Sequence, residues 1–430
     1  MRYIFSTSII IGISRLSGFI RELIFSIFIG TSYIMDAFVI AFMVPNFFRR
    51  VLGEKAADSV FVPLYIRERE KGKEHSDNYL SNVFTTLAIF LLIGTVVFYF
   101  FSPLFLRIIA PGFDQQTYNA SLIMTLIIMP YMFFIGIYAF GGALLESHKR
   151  FLIYNLAPLL FNLTLVIAVA FFYKRFSIYA LSFGVLVGVI FQSIFLFIDF
   201  KGLNLKYRPY CNFSDRPLRN TGRLLIPITV GSGVEKLSIY VDRILASFLP
   251  VGSISSLHFS FLLVDLPFAV FSIAISKVIH PYISEGKNYS NKKNFYKFIR
   301  RGVILNALIL IPITVVFMMF SKQIISLVYM RGAFNIQSVD MTFKPFFFYS
   351  LSIFPMGLVQ LFSRGFYALL NTKTPLYIAF LATFINLFIS ISLMPSMGTS
   401  GLALGTSISV WFNAVYLFTE LKKRIDKNEN

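Results

Sequence analysis

Residues 14–63 read SRLSGFIRELIFSIFIGTSYIMDAFVIAFMVPNFFRRVLGEKAADSVFVP. Apolar segments long enough for a bilayer here hold Arg15, Arg21, Glu22 and Asp36, and run out into Arg49, Arg50 and Glu54. A charge at the bilayer centre costs about 2.5–3.5 kcal/mol on insertion scales. Charges kept at such depth are expected to have a use. Arg15 and Arg21 lie six positions apart, which puts them about 120° apart around a helix of 3.6 residues per turn. Gly18, between them, allows a kink or close packing. The plainer reading makes Arg49 and Arg50 cytoplasmic anchors, and pairs Arg15 or Arg21 with Glu22 or Asp36 as a buried ion pair. The chemical reading is an anion site, since guanidinium groups grip the oxygens of phosphate or carboxylate two at a time.

The rest of the chain supports a membrane setting. Of 430 residues 57% are hydrophobic and 14% charged, against about 25% charged in a soluble domain; the mean hydropathy is +0.73. Apolar runs predict spans near 3–29, 34–50, 79–101, 120–145, 151–173, 177–199, 221–248, 255–279, 299–320, 343–369, 374–394 and 399–420. The expected fold is all-α: a polytopic helical membrane protein of about 12 transmembrane helices. Residues 55–78 read as a short interfacial helix followed by a charged loop. The amino terminus reads as an uncleaved first span.

The net charge of +19 is distributed by side. Alternate connections carry 27 Lys and Arg on one side and six on the other. The positive-inside rule then places both termini in the cytoplasm, and the basic excess faces anionic lipid rather than nucleic acid. A single cysteine, Cys211, excludes an internal disulfide framework. The four histidines, His75, His148, His258 and His280, have no ligand spacing. No HExxH, acidic metal pair or serine elbow is present, so an enzyme is not expected. No nucleotide-binding motif is present either, which leaves an ion gradient or the membrane potential as the driving force.

The chain also looks duplicated. Gly30-Thr31-Ser32 matches Gly252-Ser253-Ile254, Pro45 matches Pro267, and Val62-Pro63-Leu64-Tyr65-Ile66 resembles His280-Pro281-Tyr282-Ile283. Ala143-Leu144-Leu145 followed by Asn162 resembles Ala368-Leu369-Leu370 followed by Asn386. An even number of spans per repeat predicts two parallel six-helix lobes around a central cavity. The expected divisions are 1–200 and 221–422 for the lobes, 201–220 for a cytoplasmic linker and 423–430 for a tail. A second charge cluster falls in the seventh span, with Glu235, Lys236, Asp242 and Arg243. Asp265 precedes Pro267 in the eighth. Mutual neutralisation within one helix is the plainer reading of the first. The sequons at Asn119 and Asn162 and the glycines near Gly231 carry no weight as motifs.

SRLSGFIRE, DAFVIAFMVPNFFRR and GEKAADSVFVPLY, with APGF (110–113), RFLIYNLAPLLFN (150–162), VDRILASFLPVGSISSL (241–257) and FYALLNTKTP (366–375), resemble the MurJ/MviN family over nearly the whole chain. That family comprises the lipid II flippases of the multidrug/oligosaccharidyl-lipid/polysaccharide exporter superfamily. The resemblance implies movement of lipid II from the cytoplasmic to the outer leaflet of the bacterial inner membrane. It implies substrate-binding roles for Arg15, Arg21, Asp36, Arg49 and Glu54, and membrane lipids and cell-wall synthesis proteins as partners. It also implies a weak sodium site at Asp242, Asn386, the Leu402 carbonyl and Thr406, with Ser390 standing where the family has a carboxylate. Two departures stand out. Phe261 and Leu262 occupy the positions of the family's Asp-Arg pair, so Lys236, Asp242, Arg243 or Asp265 would have to supply charge in the second lobe. Twelve spans are read where the family usually has fourteen. The alternatives are an exporter of another polyprenyl-linked glycan, or a degenerate scaffold that binds lipid II without moving it.

Overall fold

The computed structural model describes residues 2–49, 57, 59–284, 292–369 and 371–427. Among the described residues the secondary structure is helical, without strands. Seven helices are long and apolar enough to cross a membrane, and up to nine if each of two bent pairs is one span. Helices stand at each of the twelve expected positions. Large apolar side chains such as Phe90, Phe100, Phe171, Leu327 and Phe388 are exposed. Such surfaces would aggregate in water and are at ease in lipid.

The chain forms two compact units. The first takes in residues up to 233 except 30–32; the second takes in 30–32 and the chain from 234 onward. The first unit begins with α1 (Arg2–Phe28), α2 (Tyr33–Ala41) and α3 (Met43–Phe48). Next come the short, charged α4 (Val62–Lys71) and the 37-residue α5 (Lys73–Ile109). Gly72, at φ +136°, stops α4 because few other residues adopt that backbone angle.

The expected charged loop before residue 79 is therefore helix: α5 starts six residues earlier than the apolar pattern predicts. The connector packs against the turns that follow. Residues 201–215 lie along this end of α5 and supply partners for its polar groups. The Asn82 side chain donates to the Asn212 carbonyl (3.2 Å) and to Asp215 Oδ2 (3.1 Å), and accepts from Asn212 N–H (2.9 Å). Ser81 Oγ accepts from Arg208 N–H (3.1 Å). Ser76, Asp77, Tyr79 and Asn82 are all buried. Phe61, Tyr65, Tyr79 and Phe140 continue this into an aromatic core shared by α4, α5 and α7 (Tyr131–Ser147).

The first unit is completed by α6 (Gln115–Ile128), which meets α7 at a 43° bend, by α8 (Leu152–Phe176) and by α9 (Ile178–Phe200). The division between the units falls inside α10 (Arg216–Ala246), after Gly233. The second unit continues with α11 (Ser253–Ser284), α12 (Lys292–Met319), α13 (Ser321–Tyr329), α14 (Ile336–Ser350), α15 (Ile353–Ala368), α16 (Lys373–Met397) and α17 (Thr399–Lys427). In α11 a π-turn at Phe268–Ser272 follows Pro267, whose missing N–H and ring disturb the regular ladder.

Irregularities recur between the two units and between the turns that follow α1 and α10. α14 and α15 bend by 43°, as α6 and α7 do. Gly30 and Gly252 both turn with positive φ, at +62° and +91°. At each, an added Cβ would lie 2.6 Å from a backbone oxygen, that of Ala333 and that of Thr31 respectively. Matched breaks at matched positions are what a duplicated scaffold produces.

Candidate functional site

In the first unit the structure brings Arg21 together with groups from two helices. Arg21 Nη2 pairs with Glu22 Oε1 at 2.5 Å, and Nη1 donates to Asn162 Oδ1 at 3.0 Å. Asn162 Nδ2 in turn donates to Ser17 Oγ at 2.8 Å. The guanidinium carbon lies 5.7 Å from the centroid of the Phe25 ring. Glu22 is 4% exposed, so the pair of charges is sheltered while the guanidinium keeps partial access. The ion-pair reading of Arg21 thus holds with Glu22. It does not use the whole guanidinium: Nε has no hydrogen-bond partner.

α8 lies beside α1 at Gly18, where there is room for a side chain as small as alanine's. An added Cβ there would meet Asn162 Nδ2 at 3.7 Å. Asn162 was legible only as a sequon or as a repeat mate of Asn386; its role as the partner of Arg21 was not. The signal available was an amide inside an apolar span, which needs a polar partner.

Arg15, also on α1, is exposed and partnered. Asp36 sits in the first turn of α2, 3% exposed and partnered, where a carboxylate favours the positive end of the helix dipole. Arg49 donates from Nε to Asn46 Oδ1 at 3.1 Å, which fixes the plane of its guanidinium. Glu54 and Arg50 lie outside the described residues.

In the second unit a different cluster forms around Asp242, 3% exposed on α10. Its Oδ2 accepts from Thr406 Oγ1 at 2.5 Å, and its Oδ1 from Ser390 Oγ at 3.3 Å. Turned with its nitrogen toward the carboxylate, Asn386 donates to Oδ1 at 3.2 Å and its oxygen accepts from Thr406. The Leu402 carbonyl lies 3.1 Å from Thr406 Oγ1. α10, α16 and α17 thus supply one carboxylate and a set of neutral oxygens. Such a donor set suits a small hard monovalent cation better than a divalent one. Among the described residues no group of three or more His, Cys, Asp and Glu comes together.

The other second-unit candidates do not join this cluster as a set. Arg243 follows Asp242 and is half-buried with its own partner. Asp265, on α11, is half-buried and partnered. The side chain of Lys236 lies outside the described set. Phe261 packs edge-on against Tyr349, centroids 5.4 Å apart, so aromatic packing occupies the place of the missing charged pair. Arg364, counted in the sequence only as cytoplasmic charge, is half-buried with Nε out of solvent and without a partner.

The family model of the lipid II flippase MurJ matches residues 25–430. The chain belongs to the MurJ family. A probable lipid II flippase MurJ of Buchnera aphidicola subsp. Baizongia pistaciae is 29% identical over 427 residues, which span 98% of this chain and 83% of that protein. A second, from Rhizobium meliloti, is 29% identical over 422 residues, spanning 95% and 78%. A solved structure of the lipid II flippase MurJ in an inward closed conformation superposes with a TM-score of 0.86 at 29% identity, covering 97% of this chain and 87% of that one. An inward-facing MATE family transporter gives 0.81 at 12% identity, a likeness of fold alone. MurJ relatives thus match both the sequence and the architecture, and the multi-pass helical membrane fold stands on both.

Proposed function

We propose that this chain is a lipid II flippase that moves its substrate from the cytoplasmic to the outer leaflet by alternating access. Membership of the MurJ family carries the substrate. The observation that carries the site is the sheltered Arg21–Glu22–Asn162–Ser17 network inside apolar helices. Lipid II bears a pyrophosphate, and a guanidinium held by one carboxylate can exchange partner oxygens with it at little cost in solvation. In this reading Arg15, Arg21 and Arg49 hold the pyrophosphate, Asp36 partners an arginine when substrate is absent, and Glu54 assists. The protein resides in the bacterial inner membrane with both termini in the cytoplasm, as the charge asymmetry supports. The membrane potential favours the return of net positive site charge by about 2.3 kcal/mol per charge per 100 mV.

Sodium belongs to the same proposal. Asp242, Asn386, Ser390, Thr406 and the Leu402 carbonyl would hold it. When bound, it would supply a positive charge that ties α10 to α16 and α17. With one carboxylate in the cluster, binding is expected to be weak.

The test is complementation of a strain depleted of its own flippase, read together with leaflet-resolved accessibility of lipid II. Arg15→Ala, Arg21→Ala and Arg49→Lys are expected to fail at wild-type expression, with lipid II retained inside. Full rescue by all three would overturn the assigned roles. An unchanged lipid II distribution with the wild-type chain would replace the flippase with a scaffold.

A further inference from the structure

The second unit has a crevice of about 380 Å³ lined by Ser321, Phe343, Lys344, Phe347, Phe348, Ser396, Met397 and Ser400. It lies among the starts of α13 and α17, the middle of α14 and the end of α16. These connections belong to the side that the sequence assigns few basic residues, the expected outer face.

Its polar side chains include no carboxylate. Two helices begin at the crevice, and the first N–H groups of a helix lack intrahelical acceptors and carry partial positive charge. Ser321 and Ser400, in those first turns, are 8% and 6% exposed. Both line the crevice, and neither side chain makes a hydrogen bond to another described residue. Lys344 adds an exposed ammonium. The nearest carboxylate along its helix, Asp340, is taken by Lys322 at 2.7 Å, and Lys322 is further held over the Phe343 ring at 5.4 Å. That leaves Lys344 without an ion pair among the described residues. The opposing end of α16 presents little free acceptor: its Leu393 carbonyl accepts from Ser396 Oγ (3.2 Å) and its Met394 carbonyl from Gly398 N–H (2.8 Å). Donors and a cation are therefore set among Phe343, Phe347, Phe348 and Met397.

We propose that this crevice binds the phosphate ester of an amphiphile, with Lys344, Ser321 and Ser400 on the phosphate and the three phenylalanines and Met397 along its chain. A soluble anion would gain nothing from the aromatic wall, and a neutral lipid nothing from the ammonium and the two buried hydroxyls. A phospholipid of net negative charge and a polyprenyl phosphate share this chemistry; a zwitterionic headgroup, whose own ammonium competes with Lys344 for the phosphate, does not. The site is separate from the arginines of the first unit, so it stands or falls independently of the flippase reading.

Native mass spectrometry of the full-length protein, released from detergent, tests the site with phosphatidylglycerol, undecaprenyl phosphate, phosphatidylcholine and inorganic phosphate as probes. Wild type is expected to hold phosphatidylglycerol or undecaprenyl phosphate about tenfold more tightly than Lys344→Gln does. Lys344→Arg should retain the binding, and Ser400→Val, which fills the crevice, should lower it. Lys174→Gln, a charge removed from the first unit, should leave it unchanged. The probe that responds names the source of the phosphate. Equal occupancy in wild type and Lys344→Gln for every probe would overturn the proposal, as would phosphatidylcholine or inorganic phosphate binding as well as the anionic lipids.

Discussion

The two units place an asparagine at matched points and use it for opposite charges. In the first, Asn162 on α8 accepts from Arg21. In the second, its repeat mate Asn386 on α16 faces Asp242. At the repeat offset, Arg21 corresponds to Arg243 and Ile20 to Asp242. One helical position and one sign of charge separate an arginine-centred cluster from an aspartate-centred one. Amides allow this because the same side chain both donates and accepts. One kind of side chain can thus serve an arginine in one unit and an aspartate in the other.

The sharpest way to break the contrast is to remove both repeat-related arginines in turn. Arg21→Ala is expected to lower lipid II transport by about 100-fold, the scale of a charge-assisted, multidentate contact, whereas Arg243→Ala should cost about threefold or less. Equal losses in reconstituted vesicles would mean that the second unit also grips the anion. Next in size, Ser390→Asp restores a second carboxylate beside Asp242. It should raise apparent sodium affinity about tenfold, as added ligand charge tightens oxygen sites, read by sodium-dependent protection of the protein against heat. Asp242→Asn should remove any such response. The smallest effect is expected from Asn162→Leu, which leaves Arg21 with one hydrogen bond fewer. Loss of one hydrogen bond, about 1 kcal/mol or fivefold, should appear as weakened transport, with the sodium response intact. A change in the sodium response would show that the two clusters are not separate.

Much of this was legible in residues 14–63. Charges too expensive for a bilayer without purpose marked Arg15, Arg21 and Asp36, and hydropathy placed a helix at every expected span. The repeat signal paired Gly30 with Gly252 at similar span ends, and both turn with positive φ. What escaped the sequence were contacts between distant segments. Asn162 carries nothing in its own neighbourhood that names Arg21, 141 positions away. The connector at 201–215 bonds to Ser81, Asn82 and Thr85 of α5, partners that no local pattern of α5 names. Period and hydropathy report a residue's average surroundings; they do not report which polar atom completes another's hydrogen bonds.

The connector has a mechanical consequence. Residues 201–215 are fastened to α5 by Ser81 and Asn82, and α10 begins at Arg216, directly where that fastening ends. The approach to α10 therefore has no slack chain to pay out. α10 itself passes the division without a break, and the division falls at Gly233. Between Arg216 and Ala246 there is no loop, so a displacement at one end of α10 is passed along its hydrogen-bonded backbone rather than taken up by loose chain.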